Sequence, residues 1–260
     1  QEEWAKVNKR SDWERYRTGP LKALREWLGP FPQRTSLAVE VTKEYSGNGY
    51  RRQDLLYQSR PGLWVTANLY LPPRPAREMP GIVIIPSHHR PRTQAELQDM
   101  GILWARVGCA VLIPELIGHG ERIQTYPWNR EGYRSRYTMG MQLYVAGESL
   151  IKWMVWDTMR GIDLLAERGD VDMDKIVLLG AVAGGGDPAA VTAVIDPRVA
   201  AVAPFSFGES VPELGPGGGR FPRGLAQPGW GSWETTRNLP RSIIDRYFQW
   251  MICAFVAPRR

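Results

Sequence analysis

Four short apolar runs, separated by segments of helical character, constrain the fold of this 260-residue chain more than any other feature. They are Gly81–Pro86, Cys109–Pro114, Lys175–Gly180 and Val199–Pro204. Continuous apolar runs of this length are typical of strands that are covered on both faces. Strands that alternate with helices form βαβ units and a parallel sheet. We therefore predict an α/β fold with a mostly parallel sheet flanked by helices.

The segments between these strands carry helix signals. Thr93 and Glu96 form a capping box that predicts a helix through about Val107. Apolar residues at helical spacing predict a long helix over about 150–165. Asp187 followed by Pro188 predicts a helix with Asp187 at its N-cap, ending near 195. A final helix is predicted over roughly 241–255.

The region before the first apolar run has a different organisation. Residues 1–36 predict a helical lead-in, with leucines at helical spacing and a stop at Gly29-Pro30. Residues 37–260 are predicted to form the main domain. Its first part combines a half-buried strand with alternating Leu37, Val39 and Val41 and an antiparallel hairpin, Gln53–Gln58 and Leu63–Leu71. Long loops are predicted at 115–140 and 208–240, over the candidate site.

Composition excludes several classes of protein. The chain is 43% hydrophobic and 23% charged, which is typical of a globular protein. Its formal net charge is +6, but the two signs are mixed along the chain, so we expect no nucleic-acid partner. No apolar run is long enough to span a membrane. The two cysteines cannot form a disulfide framework, and no cofactor is predicted.

Polar residues follow the predicted strands at the edge where parallel sheets hold ligands. All three histidines of the chain, His88, His89 and His119, lie there. We predict His88, His119 and Asp187 as an acid–base group, although the simpler role of Asp187 is that of a helix N-cap. The residues predicted to contact a ligand are His89, Glu115, Glu121, Ala183, Trp128 and Trp230. No metal is predicted, because the spacing matches no standard metal motif.

Two of these assignments have simpler alternatives. Glu115 and Glu121 are residue types that more often form solvated loop charges or salt bridges than catalytic groups. Trp128 and Trp230 lie in the two long loops, where they would either stack on a ligand or pack the loops themselves.

The order of these motifs resembles the α/β-hydrolase superfamily. Gly81–His89 is similar to a strand whose end supplies part of an oxyanion hole, and Cys109–Arg122 is similar to the following strand and its G-x-G-E loop. Lys175–Gly180 followed by three glycines resembles the nucleophile elbow. The hairpin segment 61–67 resembles carbohydrate acetyl-esterases and dienelactone-hydrolase-like proteins. The resemblance implies a carboxylic-ester hydrolase lineage with a carbohydrate ester as ligand.

The sequence departs from that superfamily at the elbow itself. The motif G-x-S-x-G is replaced by Gly180-Ala181-Val182-Ala183-Gly184. Val182 has neither a lone pair nor an ionisable proton, so it cannot attack a carbonyl carbon. Two functions stay open: an ester hydrolase with another mechanism, or a non-catalytic binding or assembly subunit that retains the fold.

The ends of the sequence lead to two further expectations. In the superfamily the triad acid and histidine follow later strands, whereas this sequence ends at Arg260. We expect the C-terminal strands of the fold to come from a longer polypeptide or from a partner subunit. The sequence begins at Gln1 rather than Met, which favours an extracytoplasmic location after processing.

Overall fold

The computed structural model of the chain describes residues 4–86, 94–124, 133–180, 182–205, 207 and 249–259. The strands in these residues are β1 (Glu40–Gly47), β2 (Tyr50–Arg60), β3 (Leu63–Leu71), β4 (Met79–Ile85), β5 (Ala110–Pro114), β6 (Val171–Gly180) and β7 (Val199–Pro204). They form one sheet with the order β1-β2-β3-β5-β4-β6-β7. Helices flank this sheet, so the predicted α/β fold is confirmed.

The sheet has an antiparallel wing and a parallel half. β1, β2 and β3 pair antiparallel, and β3 joins β5 antiparallel. β5, β4, β6 and β7 are parallel neighbours. The four apolar runs are therefore the four parallel strands, as predicted, with β6 starting four residues earlier than expected, at Val171. The antiparallel hairpin is also confirmed.

The described helices are α1 (Arg10–Leu28), α2 (Ala95–Arg106), α3 (Tyr133–Val145), α4 (Leu150–Glu167), α5 (Val182–Ile195) and α6 (Gln249–Phe255). The lead-in helix α1 ends as predicted at Gly29, whose φ of +67° favours glycine. The residue at the N-cap of α2 is Gln94 rather than Thr93, which lies outside the described residues. The predicted loop 208–240 also lies outside them.

Apolar side chains cover both faces of the sheet. Neighbouring residues of β4 alternate between two core clusters, with Val83 in the larger and Ile84 in the smaller. The larger cluster contains residues of α4 and α5 and the leucines of α1, while the smaller contains Leu97 and Ala105 of α2. This two-sided cover explains why the parallel strands are continuous apolar runs in the sequence.

The half-buried strand predicted around Leu37, Val39 and Val41 is wrong in its position and its burial. The strand begins at Glu40, and Val39 and Val41 are 45% and 44% exposed. β1 is the edge strand of the sheet and pairs only with β2. Its alternating apolar residues therefore lie beyond the part of the sheet that the core covers, and only Leu37, just before the strand, is buried.

The prediction of an unbroken loop over 115–140 is also wrong. A short 3-10 turn occupies Gly120–Arg122, and α3 begins at Tyr133. Ser135 and Arg136, in the first turn of α3, are buried polar residues. Because this helix buries polar residues, it lacks the apolar periodicity from which helices are predicted.

A partly buried group of charged residues links α4 to the residues between α5 and β7. Asp163 of α4 accepts hydrogen bonds from Arg34 (3.0 Å), Arg160 (2.5 Å) and Arg198 (2.6 Å). Arg198 also pairs with Asp196 at 2.6 Å. Burial raises the pKa of Asp163, but the hydrogen bond from Arg198 and the charges of the three arginines outweigh it, so that this pKa falls below its ordinary value of 3.8.

We predict that Asp163 makes the stability of the protein depend on acid pH. Its folded-state pKa is depressed, so its contribution is complete above the unfolded pKa and is lost as the pH falls through the folded pKa. The free energy of unfolding of Asp163→Asn should therefore lie below that of the wild type at pH 7. Urea denaturation between pH 7 and pH 3 should show this difference shrinking, since protonated Asp163 and Asn carry the same charge. A difference that stays constant with pH would contradict the prediction.

Candidate functional site

The carboxyl ends of the four parallel strands lie in one row. Ile85 is the register partner of Gly180, and Gly180 is the partner of Pro204. Val83 of β4 pairs with Leu112 of β5, so Pro114 ends level with Ile85. The segments that follow the strands therefore leave the sheet at a single edge, which is where parallel sheets hold their ligands.

The connection between β6 and α5 is short. β6 ends at Gly180, and α5 begins at Val182, so a single residue separates the strand from the helix. The strand and the helix follow each other in the order that a nucleophile elbow requires. Ala183, predicted as a ligand contact, is the second residue of this helix.

Glycines allow α5 to lie directly against the strand ends. A Cβ atom on Gly185 would overlap the carbonyl oxygen of Ile85 in β4. A Cβ atom on Gly186 would lie 2.5 Å from the carbonyl oxygen of Phe205, directly after β7, and one on Gly180 would lie 2.6 Å from Cα of Gly186. Backbone atoms occupy these positions, so no larger side chain fits.

This packing corrects the predicted N-cap at Asp187. The helix begins at Val182, six residues before the predicted first helical residue Pro188, which lies inside it. The glycine run thus forms the first turns of α5 rather than a loop before it, because its close contacts with β4 and β7 require it there. Asp187 is a buried residue of the helix, 3% exposed.

The loop after β5 is folded around Glu115. The carboxylate of Glu115 accepts a hydrogen bond from the backbone N–H of Glu121 at 3.0 Å and another from the hydroxyl of Thr66 in β3. A Cβ atom on Gly120, where φ is +50°, would overlap this carboxylate. Glu115 is therefore buried and shapes the loop, whereas Glu121 is exposed.

His119 lies within the same loop. Its side chain is only 1% exposed, and its Nδ1 lies 3.2 Å from the carbonyl oxygen of Ile117. Its backbone N–H donates to Leu116 at 3.0 Å. The imidazole of His119 is therefore buried within the loop, beside the backbone of Ile117.

A buried ion pair fixes this loop to α4. Arg122 donates one hydrogen bond to the carboxylate of Asp157 and another, of 2.9 Å, to the carbonyl oxygen of Glu115. The same carboxylate accepts the backbone N–H of Ile117 at 3.3 Å. Tyr57 of β2 donates to the backbone of Asp157, which brings the hairpin into the same network. Burial is the largest cause that raises the pKa of Tyr57 far above its ordinary value.

The sequence analysis did not identify Thr66, Arg122 or Asp157 as residues of this site. Asp157 carries a signal that could have been used, since it is a charged residue among the apolar residues of α4. Four predicted site residues lie outside the described residues, namely His88, His89, Trp128 and Trp230. Among the residues that are described, no three His, Cys, Asp or Glu side chains are grouped to hold a metal ion.

No helix of the described chain is long and apolar enough to cross a membrane.

Comparison with known proteins identifies related sequences and folds. Residues 33–207 match the family model described as acetyl xylan esterase (AXE1), which is more than half of the chain. No curated protein matches the sequence.

Three solved structures share the fold. One is a protein proposed to be an acetyl xylan esterase from Bacteroides fragilis NCTC 9343, with 17% identity and a TM-score of 0.72. The second is the methylesterase BT1017, with 20% identity and a TM-score of 0.67. The third is a glucuronoyl esterase from Solibacter usitatus, with 17% identity and a TM-score of 0.55. The matches cover 97% of this chain in each case, but 68%, 51% and 74% of those chains respectively.

We predict that Asp157→Asn destabilises the protein by about 3 kcal/mol, because it leaves the buried guanidinium of Arg122 without its counter-charge. Asn is close to Asp in size, so the loss reports the charge rather than a cavity. Urea denaturation at pH 7 measures it.

Asp172→Asn is the matched control. Asp172 pairs with Lys175 at 2.7 Å, but the lysine side chain is 60% exposed, and surface ion pairs contribute little to stability. Equal losses of stability in Asp157→Asn and Asp172→Asn would contradict the assignment of the Arg122–Asp157 ion pair as the contact that holds the loop to α4.

Proposed function

Because the chain belongs to the acetyl xylan esterase family, we propose that it binds a carbohydrate ester but lacks serine-type ester hydrolysis. The ligand would lie at the carboxyl edge of the parallel strands. The residues proposed to contact it are Glu121, Ala183, His89, Trp128 and Trp230, with Glu115 shaping the loop beside it.

The observation that carries this proposal is the identity of residue 182. In the elbow motif this position supplies the nucleophile, and here it is valine. A hydrocarbon side chain cannot form the acyl-enzyme intermediate on which serine esterases depend. The close contacts of Gly180, Gly185 and Gly186 with backbone atoms support a backbone frame of this kind, so the proposed difference concerns the chemistry alone.

The carbohydrate ester as ligand is supported by the names of the relatives. The family model is named for an acetyl xylan esterase, and the structures of similar fold include a methylesterase and a glucuronoyl esterase. A shared fold does not by itself transfer an activity, and the identities of 17–20% speak for the fold alone. The proposal includes an extracytoplasmic location, where a polymeric ester is accessible without transport.

A second candidate function is ester hydrolysis by an acid–base group made of His88, His119 and Asp187. It is favoured by one observation: His119 and Asp187 are buried polar residues on the two segments that leave β5 and β6 at the site edge. Such a group would activate a water molecule instead of forming a covalent intermediate.

Calorimetric titration with acetylated xylohexaose tests the lead proposal, with unacetylated xylohexaose as the matched control. We expect saturable binding that is tighter for the ester. A fluorophosphonate probe should not label the protein, and 4-nitrophenyl acetate should hydrolyse at the buffer rate. Stoichiometric labelling at any serine, including Ser87 or Ser206, would overturn the proposal.

The two candidate functions separate in the same assay. Hydrolysis above the buffer rate without probe labelling would favour the acid–base group. In that case Asp187→Asn should abolish turnover, because asparagine keeps the shape of the side chain and removes its basicity. Unchanged turnover in this variant would exclude Asp187 from the reaction.

A further inference from the structure

Trp64 is an exposed aromatic residue at the start of an otherwise buried strand. Its side chain is 38% exposed, whereas the seven residues that follow it in β3 are all buried. A tryptophan in this position exposes a flat apolar surface on which the ring of a ligand can stack.

The register of the sheet places Trp64 beside the candidate site. β3 runs antiparallel to β5, and Ala67 is the partner of Pro114, the last residue of β5. Trp64 therefore lies about 10 Å beyond the end of β5, at the level of the loop that follows it. Side chains alternate along a strand, so Trp64 shares a sheet face with Thr66, whose hydroxyl binds the carboxylate of Glu115.

A polar partner lies directly opposite Trp64. Gln58 of β2 is its register partner, and the Oε1 atom of Gln58 accepts the backbone N–H of Gly62 at 3.2 Å. This hydrogen bond orients the amide, whose NH₂ group is a donor. An apolar ring surface beside an oriented amide matches a sugar ring, which has C–H groups on its face and hydroxyl groups at its rim.

A second exposed aromatic residue flanks the other side of the row of strand ends. Phe205 follows β7 directly, is 55% exposed, and donates its backbone N–H to Gly180 at 3.1 Å. In the described part of the chain the exposed large aromatic side chains are Trp64, Trp104, Tyr137 and Phe205. The sheet order puts four strand spacings, about 19 Å, between β3 and β7.

We propose that Trp64 is a stacking surface for one pyranose ring of an oligosaccharide that runs along this edge toward Phe205. The inference rests on the proposed function, because it names the length and the orientation of the carbohydrate at the same site. The separation of the two aromatic residues spans several sugar rings, so the site selects a chain of sugars over a single one.

Calorimetric titration of acetylated xylohexaose into Trp64 variants tests this inference. Trp64→Ala should weaken binding at least tenfold, and Trp64→Tyr should retain most of the affinity because it keeps a flat ring. Trp64→Leu, which keeps apolar bulk without a ring, should lose affinity like Trp64→Ala. Phe205→Ala should weaken the binding of acetylated xylohexaose and leave the binding of acetylated xylobiose unchanged.

Trp104→Ala is the matched control. Trp104 is 37% exposed, as Trp64 is, but it lies near the end of α2, where its carbonyl oxygen accepts the N–H of Cys109 before β5. That is the edge of the sheet opposite to Trp64. The affinity of Trp104→Ala for acetylated xylohexaose should therefore stay within twofold of that of the wild type.

The outcomes separate the two proposals. Equal affinity of the wild type and all three Trp64 variants would overturn the stacking surface while the proposed function stands. Equal losses in Trp64→Ala and Trp104→Ala would also overturn it, since they would report a general effect of tryptophan removal. Absence of binding by the wild type would overturn the proposed function and the stacking surface together.

Discussion

The backbone of α5 lies directly against the ends of β4 and β7, and this contact sets the geometry of the candidate site. Side chains larger than hydrogen at Gly185 or Gly186 would meet the carbonyl oxygens of Ile85 and Phe205. Because only glycine permits this approach, the helix starts immediately after β6 and its N-terminus stays at the sheet edge. The glycines are thus a packing requirement of the connection between β6 and α5.

Charges as well as apolar contacts hold the loop after β5, since Leu116 and Ile117 of this loop pack in the larger core cluster. Arg122 and Asp157 pair in the interior, and the carboxylate of Glu115 satisfies both a backbone N–H of its own loop and the hydroxyl of Thr66. A buried ion pair contributes less to net stability than its Coulomb attraction suggests, because both groups lose their hydration. Such pairs act through their geometry, since breaking one leaves a charge without a partner. The loop that carries His119 is therefore held in one arrangement.

The contact of α5 with the strand ends and the charge network of the loop after β5 bear on function in the same way. The glycine contacts and the charge network shape the backbone around the candidate site. Position 182, where the elbow motif carries its nucleophile, is valine, and a valine side chain cannot form an acyl-enzyme intermediate. The proposed function follows from this difference, because it concerns recognition of an ester rather than its cleavage. The exposed indole of Trp64 beside the same edge is in keeping with that role.

The sequence by itself determined the parallel half of the sheet and the edge at which the site lies. The apolar runs of β4 and β5 can be recognised locally, because these strands are buried on both faces and are apolar throughout. Val182 could also be identified from the sequence alone, by its position in the elbow motif. Tertiary structure alone decided the rest: that Asp187 lies inside a helix, that Val39 and Val41 are exposed at an edge, and that Asp157 holds Arg122. Each depends on which residues from distant parts of the chain are adjacent in space, and neither periodicity nor local spacing carries that information.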